Sequence, residues 1–296
     1  MSNFIDNIKY NFRHGGILTK FIFVNVFVYL LLLILYLVGK LFVVNTDVSV
    51  YIALYSNINT ALVHAWTLFT YMFVHYDFLH ILFNMLVLYG FGRIFLTLFN
   101  EKQLGSLYIL GGLAGGVLYL LIYNLIPYFV LKGNIPMVGA SASVMAIIFA
   151  VAFYMPNMQV NMFLLGRIKL IYIAIALLVM DLLTVFWGGD NQGGHIAHIG
   201  GALLGYLFAK QYLKGKDITR PTSRLIDQVV NIFSKKPRKP AKMKVKYKRP
   251  ETDYQYNRRR ANETEEIDRI LDKIKASGYS SLNKEEKKRL FDASNK

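Results

Sequence analysis

The chain has 296 residues, 54% of them hydrophobic and 15% aromatic, a composition too apolar and too uneven for an ordinary soluble domain, and it reads as membrane-embedded. Cysteine is absent, which excludes disulfides, thiolate metal sites and cysteine nucleophiles. The net charge of +16 does not argue for nucleic acid, because it belongs to the tail: residues 214–296 carry 24 Lys and Arg against 12 Asp and Glu, whereas residues 1–213 carry 10 against 6.

Taken in chain order, the first 14 residues, MSNFIDNIKYNFRH, are mixed and polar. No small-residue cleavage site follows the apolar run after them, so that run is expected to remain as a span. A spanning helix needs roughly 20 predominantly apolar residues. Segments of this kind are expected at about 21–44, 78–99, 104–123, 141–155, 170–187 and 195–212, six spans in all. The long stretch 45–75, which contains HAWTLFTYMFVH, reads as a structured loop at the membrane interface. The fold class expected is therefore an all-α polytopic membrane protein, a six-transmembrane-helix bundle with a cytosolic helical tail.

The short connections set the orientation. Lys9, Arg13 and Lys20 precede the first span, Arg93 and Lys102 flank the turn between spans two and three, Arg167 and Lys169 lie between four and five, and the basic tail follows six. For six spans these all fall on one side, while the loops around Asp47, Lys132 and Asp190 are nearly uncharged. Both termini are expected to be cytoplasmic, in an arrangement that fits a bacterial cytoplasmic membrane.

Four regions result: a cytosolic N-terminus at 1–20, the six-span body at 21–213, a basic linker at 214–258 and a small cytosolic helical hairpin at 259–296. Within the linker, SKKPRKPAKMKVKYKRP has no apolar periodicity and is expected to be extended and solvated, or to lie on anionic lipid headgroups. The hairpin is expected from Ile267, Ile270, Leu271 and Ile274 at helical spacing, a stop at Gly278, then Leu282, Leu290 and Phe291. It is expected to bind a cytosolic partner, to tether the chain or only to stabilise it.

Polar groups inside a bilayer are costly, so each one in a span calls for a reason. His75, His80 and Asn84 stand around the start of span two, Ser141 at the start of span four, and His195 and His198 at the start of span six. Spans two, four and six run in the same direction, so residues near their starts share a depth and can converge. A serine hydroxyl is a weak nucleophile until a base takes its proton, and a histidine within reach can take it and return it to a leaving amine. His80 and Asn84, four apart in HILFN, share one face of span two and can stabilise an oxyanion as paired donors.

The segments GAS at 139–141, HILFN at 80–84 and AHIGG at 197–201, on six spans, resemble the rhomboid family of intramembrane serine proteases. The resemblance runs from about Trp66 to Gly205 and includes WTLFTYMFVH, with Trp66, Thr70 and His75 in register. It implies that Ser141 is the nucleophile and His198 its general base, with His80 and Asn84 in the oxyanion hole. It also implies a lateral gate beside spans two and five, substrates that are single-pass membrane proteins cleaved within the lipid bilayer, and no cofactor or metal. His198 rather than His195 precedes IGG, and Gly201, Ala202 and Gly205 lie at i+3, i+4 and i+7 from it, a smooth stripe on which span four can press. Ser143, about 200 degrees around the helix from Ser141, is expected to face away.

The chain departs from the family pattern at Ala142, where glycine is usual, at Met145, often aromatic, and at Thr67 and Leu96, which replace a common Arg and Glu. These changes are expected to alter rate or specificity. Asp181 in span five is expected to make an interhelical hydrogen bond, and Gly111, Gly112, Gly115 and Gly116 in span three to be close-packing positions. A zinc enzyme built from His75, His80, His195 and His198 lacks HExxH, and zinc hydrolases usually need a carboxylate nearby. An aspartyl protease needs two apposed acids, and the spans supply essentially Asp181. The remaining competitor is a rhomboid-like pseudoprotease that binds or escorts membrane clients without cleavage, which is expected to have lost the serine or the histidine.

Overall fold

The computed structural model describes residues 14–44, 48–162, 166–188, 191–233 and 252–294, together with Asp6 and Tyr10. The chain divides into two compact units, Met1–Lys235 and Lys236–Lys296. In the first, the long helices are α1 (Ile17–Phe42), α2 (Phe78–Leu98), α3 (Glu101–Leu125), α4 (Ser141–Tyr154), α5 (Leu170–Trp187), α6 (Gln192–Leu213) and α7 (Arg220–Phe233). Of these, α1, α2, α3 and α5 are long and apolar enough to cross a membrane. The expected segments four and six also fold as helices, but differently: α4 has 14 residues and α6 has 22, the latter rich in glycine.

The sequence explains these differences. Every residue of α4 from Ala142 to Ala152 is buried, so it forms the centre around which α2, α3, α5 and α6 pack. A helix apolar all round belongs in such a core. By contrast, α1 buries only Leu18, Phe21, Asn25 and Gly39. Its other side chains, from Phe27 to Val43, are largely exposed, as lipid contact requires. Asn25, polar and buried, is accommodated by donating to Phe21 O at 2.8 Å and to Tyr108 Oη of α3 at 3.1 Å.

Small residues set how closely the central helices approach. A Cβ at Gly201 of α6 would lie 2.0 Å from Ala142 O, and one at Gly205 would lie 2.2 Å from Ala146 O, both backbone atoms of α4. One at Gly200 would lie 2.7 Å from Ala114 O and 2.8 Å from Gly115 Cα of α3. Thus α6 is wedged between α3 and α4 with almost no side chain in either seam.

The region before α2 is ordered by its own hydrogen bonds. Asn57 accepts from the N–H groups of Asn59 and Thr60 and so caps the short helix Ile58–Val63. Trp66 Nε1 donates to Tyr51 O at 2.8 Å, and Thr70 Oγ1 to Ile52 O at 2.9 Å. Strand β1 (Leu54–Tyr55) pairs antiparallel with β2 (Pro136–Met137), with Leu54 opposite Met137. This ties the loop before α2 to the segment entering α4. A second hairpin, β3 (Gln159–Met162) with β4 (Gly166–Lys169), joins α4 to α5, and Val160 faces Ile168 in its register.

The stretch expected as a linker over 214–258 is not uniform. Residues Arg220–Phe233 form α7, which packs on α3: Ser106 and Ser223 share a hydrogen bond of 2.8 Å, and Lys102 pairs with Asp227 at 2.7 Å. Apolar residues recur at helical spacing through LIDQVVNIF, a weaker signal than the charge and proline run just beyond it. SKKPRKPAKMKVKYKRP lies outside the described residues, as do Asp47 and Asp190 and most of the N-terminal region 1–13.

The second unit is a helical hairpin that begins before residue 259. Its helices are α8 (Asp253–Ser277) and α9 (Lys284–Ser294). A capping box between Thr252 and Gln255 starts α8, and Gly278, at φ +75, follows its end. Ile270 and Leu282 are buried between the arms, while Lys273 bonds Glu286 at 2.9 Å and Arg289 pairs with Glu266. Leu271 and Phe291 remain exposed.

Candidate active site

Ser141 is the first residue of α4, with Ala140 as its N-cap. Its N–H therefore has no intrahelical partner and lies at the positive end of the helix dipole. Two hydrogen bonds hold the chain just before it. Gly139 N–H donates to Tyr71 O at 3.0 Å, and Ala140 N–H donates to His75 Nε2 at 3.3 Å. Burial, with the His80 ring 5.0 Å away, pushes the His75 imidazole down to about 3. His75 is thus neutral, and its Nε2 is an acceptor. It supports the entry to α4.

Glycine is required at 139 for two reasons. Its φ is +125, and a Cβ there would sit 2.8 Å from His80 Cε1 and 2.9 Å from His80 Nε2. The same point is 3.7 Å from Ser141 Oγ, so the His80 ring and the serine hydroxyl border one small space. One turn along α2, Asn84 is buried and its Nδ2 donates to His80 O at 2.9 Å. That bond uses one of its two amide hydrogens.

The two serines of the GASAS segment separate. Ser143 is fully buried, its Oγ 4.0 Å from Met72 Sδ, and it faces Gly112 of α3. Ala142 packs its methyl toward Gly115: a Cβ on that glycine would lie 2.6 Å from Ala142 Cβ. The extra carbon relative to the family pattern is therefore received by a glycine on α3. Met145 is buried in the core, and Thr67 Oγ1 donates to His64 O at 2.7 Å.

His195 and His198, three apart on α6, both turn to Asp181 of α5. Asp181 Oδ1 accepts from His195 Nδ1 at 2.7 Å and from His198 Nδ1 at 2.9 Å. The carboxylate is 5% exposed. The interhelical hydrogen bond expected of Asp181 is present, and its partners include the residue expected to be the base. The sequence carried one signal of this, a lone acid in an apolar run, but not which face of α5 meets α6. The ligand-type atoms of Asp181, His195 and His198 lie within 4.8 Å of one another.

Comparison with known families agrees with the fold. A family model described as Rhomboid domain matches residues 63–215, and one described as a family of unknown function, DUF6576, matches residues 251–296. Among curated relatives, RHOMBOID-like protein 12, mitochondrial, of Arabidopsis thaliana is 31% identical over 159 residues, covering 51% of this chain and 47% of that protein. Presenilin-associated rhomboid-like protein A, mitochondrial, of Danio rerio is 31% identical over 139 residues, covering 45% of this chain and 34% of its own length. Rhomboid protein 1, mitochondrial, of Saccharomyces cerevisiae is 26% identical over 139 residues, covering 46% and 38%. The chain thus spans less than half the length of each of these relatives. With a mostly helical body, apolar helices of membrane-crossing length and a rhomboid match over more than half its residues, this integral membrane protein belongs to the rhomboid family.

Proposed function

We propose that the chain is an intramembrane serine endopeptidase that cleaves transmembrane segments of membrane proteins with a Ser141/His198 dyad. The observation that carries this reading is the α4–α6 seam. Gly201 and Gly205 allow the backbone of α6 to touch that of α4 at Ala142 and Ala146, one residue and five residues beyond Ser141, on the helix that carries His198. A pseudoprotease has no need of both groups, and this chain keeps both.

In this reading Ser141 Oγ attacks the substrate carbonyl carbon while His198 Nε2 takes its proton. His80, Asn84 and the Ser141 N–H stabilise the oxyanion. The C–N bond then breaks as His198 returns the proton to the leaving amine, and water releases the acyl group from Ser141 by the same proton route. Substrates unwind near the outer membrane edge, because helical hydrogen bonds otherwise shield the carbonyl. They enter at a lateral gate beside α2 and α5. A helix of 14 residues is about 21 Å long, short of a hydrocarbon core of about 30 Å, which supports a nucleophile set below the outer boundary.

The proposed topology has six spans, α1 to α6, with both termini and the tail hairpin on the cytosolic face. The charge asymmetry and cysteine-free composition support a bacterial cytoplasmic membrane. The mitochondrial names of the three relatives make a mitochondrial membrane the second reading. A cytosolic partner of the hairpin is part of the proposal; nucleic acid is not.

The test compares membrane proteomes of cells carrying wild type or Ser141→Ala. Single-pass proteins should lose their ectodomains only in the wild type. Identical shedding in both would refute the proposal.

A further inference from the structure

A carboxylate inside a helix bundle is expensive unless hydrogen bonds replace its water. Asp181 meets that need with a single oxygen, Oδ1, which takes the Nδ1–H of His195 at 2.7 Å and of His198 at 2.9 Å. A carboxylate is an acceptor only, so each imidazole that bonds to it through Nδ1 must carry its hydrogen there. In the neutral ring the other nitrogen, Nε2, is then the bare one. For His198 that is the protonation state a base must start from.

The same three residues can be considered as ligands of a cation, since their donor atoms lie within 4.8 Å of one another. The contacts to Asp181 are 2.7 and 2.9 Å, the lengths of charge-assisted hydrogen bonds.

We propose that Asp181 is a positioning residue for the base: its carboxylate fixes the His198 ring and the tautomer that leaves Nε2 free to take the Ser141 proton. His195 is the second donor that holds the carboxylate in place. This rests on the assignment of Ser141 and His198 above, and it extends the expected dyad by a third member supplied by α5. A mere tether between α5 and α6 would use the same bonds and the same tautomer, but the reactivity of Ser141 would then not depend on the residue at 181 once the fold is kept. Asn at 181 separates the two roles. Its amide can donate to Nδ1, which favours a hydrogen on Nε2 and a base that cannot accept a proton.

The test uses the full chain in liposomes. Solid-state NMR of 15N-histidine protein, with His198 assigned by its loss in His198→Ala, should show Nδ1 protonated and Nε2 bare at neutral pH. Asp181→Asn should move the hydrogen to Nε2 and slow fluorophosphonate labelling of Ser141 by on the order of 100- to 10,000-fold. Asp181→Glu should keep the Nδ1–H form and recover part of the rate. A wild-type His198 with its hydrogen on Nε2 overturns the inference even if Asp181→Asn fails to fold. Labelling of a folded Asp181→Asn at the wild-type rate overturns it alone, leaving the protease reading in place, whereas a wild type that never labels overturns both.

Discussion

Replacing Gly201 by alanine adds one methyl where α6 touches the backbone of α4. That Cβ would stand 2.0 Å from Ala142 O, 2.8 Å from Ala142 C and 3.1 Å from Ala142 Cα. Ordinary contact needs about 3.5 Å, so the helices must part by about 1.5 Å or rotate. No flexible side chain stands there to give way. Overpacking of this kind costs about 1–3 kcal/mol of stability. The effect on catalysis should be larger, because a 1 Å misplacement of reacting groups costs on the order of 100-fold. The assay is the rate of substrate cleavage per folded molecule in liposomes, with folded protein measured by thermal unfolding. Gly90→Ala is the control, since a Cβ there meets nothing within 4 Å, and it should leave rate and folding unchanged or slightly improve stability. If Gly201→Ala cleaves at the wild-type rate, the seam does not set the Ser141–His198 geometry and the reasoning fails.

Gly139→Ala should lower cleavage by at least about 10-fold with little loss of folded protein, because its methyl meets the His80 ring rather than the core and its φ of +125 disfavours a side chain; unchanged cleavage would remove His80 from the site. His75 gives a pH dependence. Its folded pKa is depressed to about 3 by burial and then by His80, below the ordinary value of about 6.5. The unfolded chain therefore binds a proton that the folded chain refuses. The stabilisation is fully present above about pH 6.5 and is lost as pH falls toward 3, by at most about 1.4 kcal/mol per pH unit. Thermal unfolding between pH 6.5 and 4 should show a steeper loss in wild type than in His75→Gln, and parallel curves would contradict the buried neutral imidazole.

The four helices of membrane-crossing length were legible because lipid selects for long apolar runs. The expected 78–99 and 170–187 became Phe78–Leu98 and Leu170–Trp187 almost to the residue. Helix α6 was legible less by hydropathy than by spacing: Gly201 and Gly205 sit on one face, and that face meets α4. The separation of Ser141 from Ser143 also followed from helical periodicity alone. What the sequence did not disclose depends on which helix faces turn toward each other. Asp181 is a lone acid in LLVMDLLTVF, and nothing local says that it meets two histidines on α6. The support of Ala140 by His75 and the β1–β2 pairing are contacts between segments more than 60 residues apart, and two-residue strands carry no alternation to read. Helix α7 was hidden by the charge of the tail that follows it.

The central claim is that Ser141 is a nucleophile activated by His198. Purified full-length protein in liposomes, treated with a fluorophosphonate probe and digested for mass spectrometry, tests it most directly. The account predicts one adduct, on Ser141, abolished in Ser141→Ala, strongly reduced in His198→Ala and retained in Ser143→Ala. An adduct on Ser143, full labelling of His198→Ala, or a folded wild type that takes up no probe would contradict it.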